Sequence, residues 1–266
     1  MEASGGPEAP ADFASLLRRQ GLHPLAAPTF GTSGAAGARP EETHATTILA
    51  FKFAGGVLMA GDRRATAGNV VVYDRADKVL EIDRHSLMAI AGVPATAWEM
   101  ARMLEHSFQF YRRTQLQEMS LDGKVRALSK LLRDNFGFVM QGVGVVVPIF
   151  ATYDTVAQAA RLYFYDAMGA QFEAADYAVS GSGSPAVRSI LYYRNTWGNG
   201  PLREIARDEA VVLALRALDT AAETDTATGG VDRRGRVYPV VKIVNGDGIT
   251  TLSGEELADI FKTEVR

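Results

Sequence analysis

No cysteine occurs among the 266 residues. Disulfides, thiolate metal sites and a cysteine nucleophile are therefore excluded, and a reducing cytoplasmic location suits the chain. Histidine is scarce as well: His23, His44, His85 and His106 are scattered without HExxH-type spacing, so the sequence offers no metal site. Positive charge is not in excess, since 28 Lys and Arg face 31 Asp and Glu for a net charge of −3. Such a balance gives no whole-chain attraction to nucleic acid or anionic lipid. The runs "RLYFYD" and "FQFYRR" put aromatics beside arginines, but core strands and helices produce such runs far more often than base-stacking surfaces do. No apolar run reaches the roughly 20 residues that cross a bilayer. "MEASGGPEAPADF" also lacks the basic and apolar blocks of a secretory signal.

Residues 1–45 are rich in Gly, Ala and Pro and read as a leader rather than a domain. Within it, "DFASLLRRQG" spaces Phe13, Leu16 and Leu17 at helical i, i+3, i+4 steps, a short amphipathic turn able to dock. The fold is expected to begin abruptly at Thr46. "TTILAFKF", "GVLMAGD", "GNVVVYD", "KVLEID" and "SLMAIAGV" read as one antiparallel block of strands. The period then lengthens, and "TAWEMARMLEHSFQFYRRTQL" and "SLDGKVRALSKLLRDNFGFVMQ" read as two long helices. "VVVPIFATYD", "ARLYFYDAMG" and "QFEAADYAVSG" return to strand character, with turns at Asp154 and Gly169. Helices resume over 184–197 and 201–223. A hairpin in "VYPVVKIVNGDGITTLS" and a helix capped by Ser253, with Glu256 three residues on, close the chain. Strands, helices, strands, helices, strands is an α+β order, two paired sheets inside and helices outside.

"TTILAFKFAGGVLMAGDRRATAGN", "DKVLEI", "MAIAGV", "VSGSGS" and "DTATGG", in this order and at these intervals, resemble a 20S proteasome β subunit of the actinobacterial type. The resemblance runs from His44 to the C-terminus. It implies the N-terminal-nucleophile hydrolase sandwich, two stacked antiparallel sheets flanked by helices, with residues 1–45 as a propeptide and 46–266 as the peptidase domain. It also explains the threonines at the tail-to-strand junction. A hydroxyl in mid-chain has no base attached, whereas a threonine made N-terminal gains an α-amine of pKa about 7.7–8.0 beside its own hydroxyl. Cleavage between Ala45 and Thr46 would create nucleophile and base together.

By this resemblance Thr46 is the nucleophile. Thr47 is its idle neighbour, expected on the opposite face of the strand. Lys78 is the cation beside Thr46, and Asp62 pairs with Lys78; taken without context, the two are an ordinary structural ion pair. Ser182 of "GSGS" sits near the threonine amine and is buttressed by Asp225. Thr228 stands where many relatives carry serine. Gly92 offers its N–H to the oxyanion. Thr66 and Gly68 hold the substrate backbone as an added strand, and Ala65, Ala76, Leu80, Ile90, Pro94 and Trp98 line an apolar specificity pocket, implying a chymotrypsin-like preference. No cofactor is implied. The implied partners are proteasome α subunits and other β subunits in stacked seven-membered rings, an ATPase ring acting through the α ring, and unfolded protein substrates. The HslV-type peptidase also starts Thr-Thr-Ile but reads Gly-Asp-Gly-Gln where this chain has Gly61-Asp62-Arg63-Arg64. The family residue before the nucleophile is glycine, and here it is Ala45, which keeps open a second reading: an unprocessed, non-catalytic assembly subunit.

Overall fold

A computed structural model describes Phe13, Leu17 and residues 46–67, 70–141, 143–232, 235 and 237–265. Two five-stranded antiparallel sheets lie face to face. The first contains β1 (Thr47–Phe53), β2 (Gly56–Gly61), β10 (Tyr177–Gly181), β11 (Val240–Asn245) and β12 (Gly248–Thr251), in the order β10-β1-β2-β11-β12. The second runs β5-β6-β7-β8-β9, from β5 (Val79–Asp83), β6 (Ser86–Ala89), β7 (Ile149–Asp154), β8 (Ala159–Tyr165) and β9 (Gln171–Glu173). A small hairpin of β3 (Ala65–Ala67) and β4 (Val70–Tyr73) stands apart from both.

Alternation along each strand decides what it touches. Side chains on a strand point to opposite faces with period two, so Leu49, Phe51 and Phe53 of β1 face one core while Ile48 and Ala50 face another. The Ile48 face meets Leu87, Ala89, Ile149 and Ala151 of the second sheet, forming the layer between sheets. The Leu49 face is covered by α4 (Ser184–Trp197) and α5 (Arg207–Thr224) through Val187, Leu191, Ala214 and Leu218. On the far side, Met88, Ile90 and Phe150 are covered by α1 (Pro94–Gln115) and α2 (Leu121–Asp134) through Met100, Leu104, Leu128 and Leu132. The result is the expected sandwich, helices–sheet–sheet–helices. β1 and β2 are almost wholly buried because both of their faces are covered.

Three boundaries differ from the sequence reading. The strands of 46–93 are not one block: β1 and β2 lie in the first sheet, β5 and β6 in the second, and the β3–β4 hairpin joins neither. "QFEAADYAVSG" is two strands in two sheets. Ala174 still donates to the Leu162 carbonyl of β8, yet two residues later the Asp176 carbonyl accepts from Lys52 of β1, so the chain changes sheets between them. The second long helix breaks at Asn135, whose side-chain amide donates to the Gly144 carbonyl at 2.7 Å, and a short α3 (Phe136–Met140) follows. Two serines cap helices, the second as the sequence implies. Ser120 accepts from Gly123 at 3.2 Å at the start of α2, and Ser253 accepts from Glu256 at 3.1 Å at the start of α6 (Gly254–Ile260).

Candidate active site

Thr46 leads straight into β1 and is 4% exposed. Its carbonyl accepts the Ser182 N–H at 2.9 Å, just past the end of the neighbouring strand β10. Gly181 has φ +96°, and a Cβ there would run into the Thr46 carbonyl, so only glycine lets the two strands meet at this point.

Asp62 follows β2 and is fully buried. A buried carboxylate needs its lone pairs occupied, and four donors supply this. Oδ1 accepts from the Lys78 ammonium at 2.7 Å and the Thr47 N–H at 2.8 Å, while Oδ2 accepts from the Arg64 and Gly229 N–H groups, each at 2.9 Å. Lys78 also donates to the Arg64 carbonyl at 2.5 Å. Burial pushes the Lys78 pKa down from its ordinary value, and the charge and hydrogen bond of Asp62 offset part of that shift. The ammonium is thus held at a fixed place by an anion that cannot move.

Behind the β1–β10 junction lies a second network. Ser182 donates to Asp225 Oδ2 at 2.6 Å, and Thr228 donates to the same oxygen at 2.6 Å. Asp225 also accepts the Ala227 N–H at 3.1 Å. Burial by itself would raise the Asp225 pKa. The hydrogen bonds of Ser182, Thr228 and Ala227, with the charge of Arg64, outweigh it and hold the group below its ordinary 3.8. Thr47, expected to be an idle neighbour, belongs to this network. It is fully buried, its hydroxyl lies 2.5 Å from that of Thr228, and it accepts the Gly183 N–H at 2.9 Å. Because Thr228 spends its one hydroxyl hydrogen on Asp225, the Thr47 hydroxyl is the donor of the pair. Hydrogen bonds therefore run in one direction, from Gly183 through Thr47 and Thr228 to Asp225.

In front of Thr46 opens a cavity of 430 Å³ lined by Thr46, Lys78, Gly92, Ala65, Ala76, Ile90, Pro94 and Trp98, together with Val72, Tyr73, Val93 and Ala95. Gly92 has φ +112°, and a Cβ on it would strike the Val145 carbonyl. Apart from Lys78 beside Thr46, no charged side chain among the described residues lines this cavity. Leu80 is not part of its wall and packs instead towards the α1–α2 core. Thr66 is buried in the β3–β4 hairpin, opposite Val71, and does not line the cavity either. Gly68 and Ala45 lie outside the described residues.

The structure therefore brings Thr46, Asp62, Lys78, Gly92, Ser182, Asp225 and Thr228 to one end of the first sheet. Sequence reasoning missed Thr47, Val72 and Tyr73. The only signal for Thr47 was a polar residue in a strand whose other buried positions are apolar. Among the described residues no group of His, Asp and Glu is placed to hold a metal, and no helix is long and apolar enough to cross a membrane.

Residues 42–234 match the model of the family described as "Proteasome subunit". Among similar proteins, "Proteasome subunit beta 2" of Thermomonospora curvata is 37% identical over 257 residues, covering 96% of this chain and 88% of that protein. "Proteasome subunit beta" of Streptosporangium roseum is 42% identical over 221 residues, 83% of this chain and 76% of that one. "Proteasome subunit beta" of Streptomyces griseus is 35% identical over 223 residues, 84% and 77% respectively.

Proposed function

The chain belongs to the proteasome β-subunit family, actinobacterial type, and from that premise we propose that it is the threonine endopeptidase subunit of a 20S core particle assembled with α subunits. Thr46 attacks the substrate carbonyl once the bond after Ala45 has been cut autocatalytically and its α-amine is free. The observation that carries this reading is the buried Asp62–Lys78 pair, 2.7 Å apart, beside Thr46 at the head of the apolar cavity. A fixed, partly desolvated ammonium lowers the free energy of a developing alkoxide at Thr46, since charge acts more strongly where water is excluded. Ser182 and Asp225 hold the Thr46 end of β1 in place. The Gly92 amide serves the oxyanion. The cavity wall takes large apolar side chains, and unfolded proteins reach it through the α ring under an ATPase activator. Seven-membered stacked rings and a cytoplasmic setting go with this role.

The test is co-assembly with the α subunit followed by intact mass and hydrolysis of a fluorogenic peptide ending in Leu, Tyr or Phe. A β chain starting at Thr46, with turnover, is the expected result. A particle that keeps residues 1–45 indefinitely and cleaves nothing would establish the assembly-subunit reading that Ala45 suggests.

A further inference from the structure

Away from the Thr46 cavity, a groove runs between α1 and α2. It has a volume of 370 Å³, and its apolar wall includes Met103, Leu104, Phe110, Tyr111, Met119 and Leu131. An open apolar groove between two helices is the usual receptor for an amphipathic helix presenting residues at i and i+4. Phe13 lines this groove, and Leu17 packs against the same α1–α2 core. Both residues are helical, and the Phe13 ring lies 5.9 Å from that of His106 and 6.0 Å from that of Phe110.

Leu17 and Thr46 are separated by residues 18–45. At up to about 3.3–3.6 Å per residue this length of chain can span roughly 90–100 Å, so contact at the groove and continuity at Thr46 are compatible. Two half-buried side chains make a small contact, weak for a separate peptide. A tethered ligand, in contrast, binds as an intramolecular one, at an effective concentration on the order of millimolar. Occupancy of the groove thus depends on the covalent link.

We propose that Phe13 and Leu17 are an anchor that closes one wall of the α1–α2 groove in cis while the leader is attached, and that severing the leader releases it. That severance occurs naturally before Thr46 rests on the function proposed above; the anchor itself does not.

The absence of cysteine makes the test direct. Ser107→Cys places the chain's one thiol on the groove wall. The labelling rate of that thiol is measured in the full, unassembled chain carrying Lys78→Ala, with intact mass showing the leader present throughout. Three samples are compared: the native leader, Phe13→Asp/Leu17→Asp, and a leader cut at a site-specific protease sequence inserted within residues 31–38. Labelling should be at least ~10-fold faster in the second and third than in the first. Equal rates in the first two overturn the anchor. Slow labelling in the cut chain overturns the release. Amide exchange over residues 103–111 of chains that keep Ser107 gives an independent reading, slower with the native leader than with the Asp pair; equal exchange in both overturns the anchor. Failure of the natural cleavage would leave these rates unchanged and would show instead in the mass of the α-assembled particle.

Discussion

The Thr47 and Thr228 hydroxyls lie 2.5 Å apart, 181 residues distant in sequence. Their bond joins the residue after Thr46 to the Asp225 carboxylate that also receives Ser182. Thr47→Val keeps the shape but strands the Gly183 N–H and removes a donor from Thr228. The expected loss is about 1–3 kcal/mol of stability, the usual penalty for unsatisfied buried polar groups, and Thr47→Ser should restore most of it. Denaturant midpoints of the unassembled chains decide. A valine variant as stable as the native chain would make the bond incidental.

Lys78→Ala should leave ring assembly largely intact while lowering peptide hydrolysis by at least ~10²-fold, in the range of lost acid–base or electrostatic assistance. Removing one partner of a buried ion pair is ordinarily severe. Asp62, however, keeps three backbone donors from Thr47, Arg64 and Gly229, so the fold should tolerate the change. Turnover near normal in the assembled variant would show that the pair is structural.

Substrate preference should favour Leu, Tyr or Phe over Arg or Glu on the acyl side of the cut. The described wall of the cavity ahead of Thr46 offers no carboxylate for Arg, and a glutamate would be desolvated against Ile90, Pro94 and Val93. Trp98, 45% exposed, stands on the cavity wall, so Trp98→Ala should shift preference toward bulkier aromatics. A fluorogenic panel cleaved fastest after Arg or Glu would contradict this.

Ala45→Gly should speed cleavage before Thr46 by roughly 5- to 30-fold. Attack of a hydroxyl on the carbonyl just before it needs a tight turn, where a Cβ costs about 1–2 kcal/mol in left-handed conformations. Mass time courses of the two variants in matched assemblies measure the ratio. Equal rates would show that Ala45 does not slow this cleavage.

Acid stability should depend on Asp225. Its pKa is depressed below 3.8 in the folded chain, so its contribution is fully present above 3.8 and is lost as pH falls through the folded value. Asp225→Asn should therefore be less stable than the native chain near neutral pH and should converge with it in strong acid. A constant difference across that window would mean that the carboxylate's charge is not what Ser182 and Thr228 respond to.

Much of this architecture was legible because β1, α1 and α2 carry strong periodic signals. The residues gathered around Thr46 could be named from short motifs at fixed intervals. What escaped was non-local. Nothing in "QFEAADYAVSG" marks the step from one sheet to the other, since both halves alternate equally well, and the switch is made by backbone bonds of Ala174 and Asp176 to strands far away in sequence. Thr47 was misread for a related reason: strand alternation correctly sends it away from Thr46, but the buried side to which it turns is built by residues 183 and 228. Leu80 was placed in the pocket by the resemblance, whereas it packs against the α1–α2 core.

The same distance in sequence acts as a clock. Thr46, Asp62 and Lys78 leave the ribosome early, but Ser182 and Gly183 follow about 136 residues after the threonines, and Thr228 later still. At about 5–20 residues per second, roughly 10–40 s pass between the first hydroxyl and the last. For most of that interval β1 has no β10 beside it, and until its end Thr47 lacks Thr228, so a partial chain cannot complete the site. Order of synthesis thus makes the surroundings of Thr46 one of the last parts of the fold to be completed.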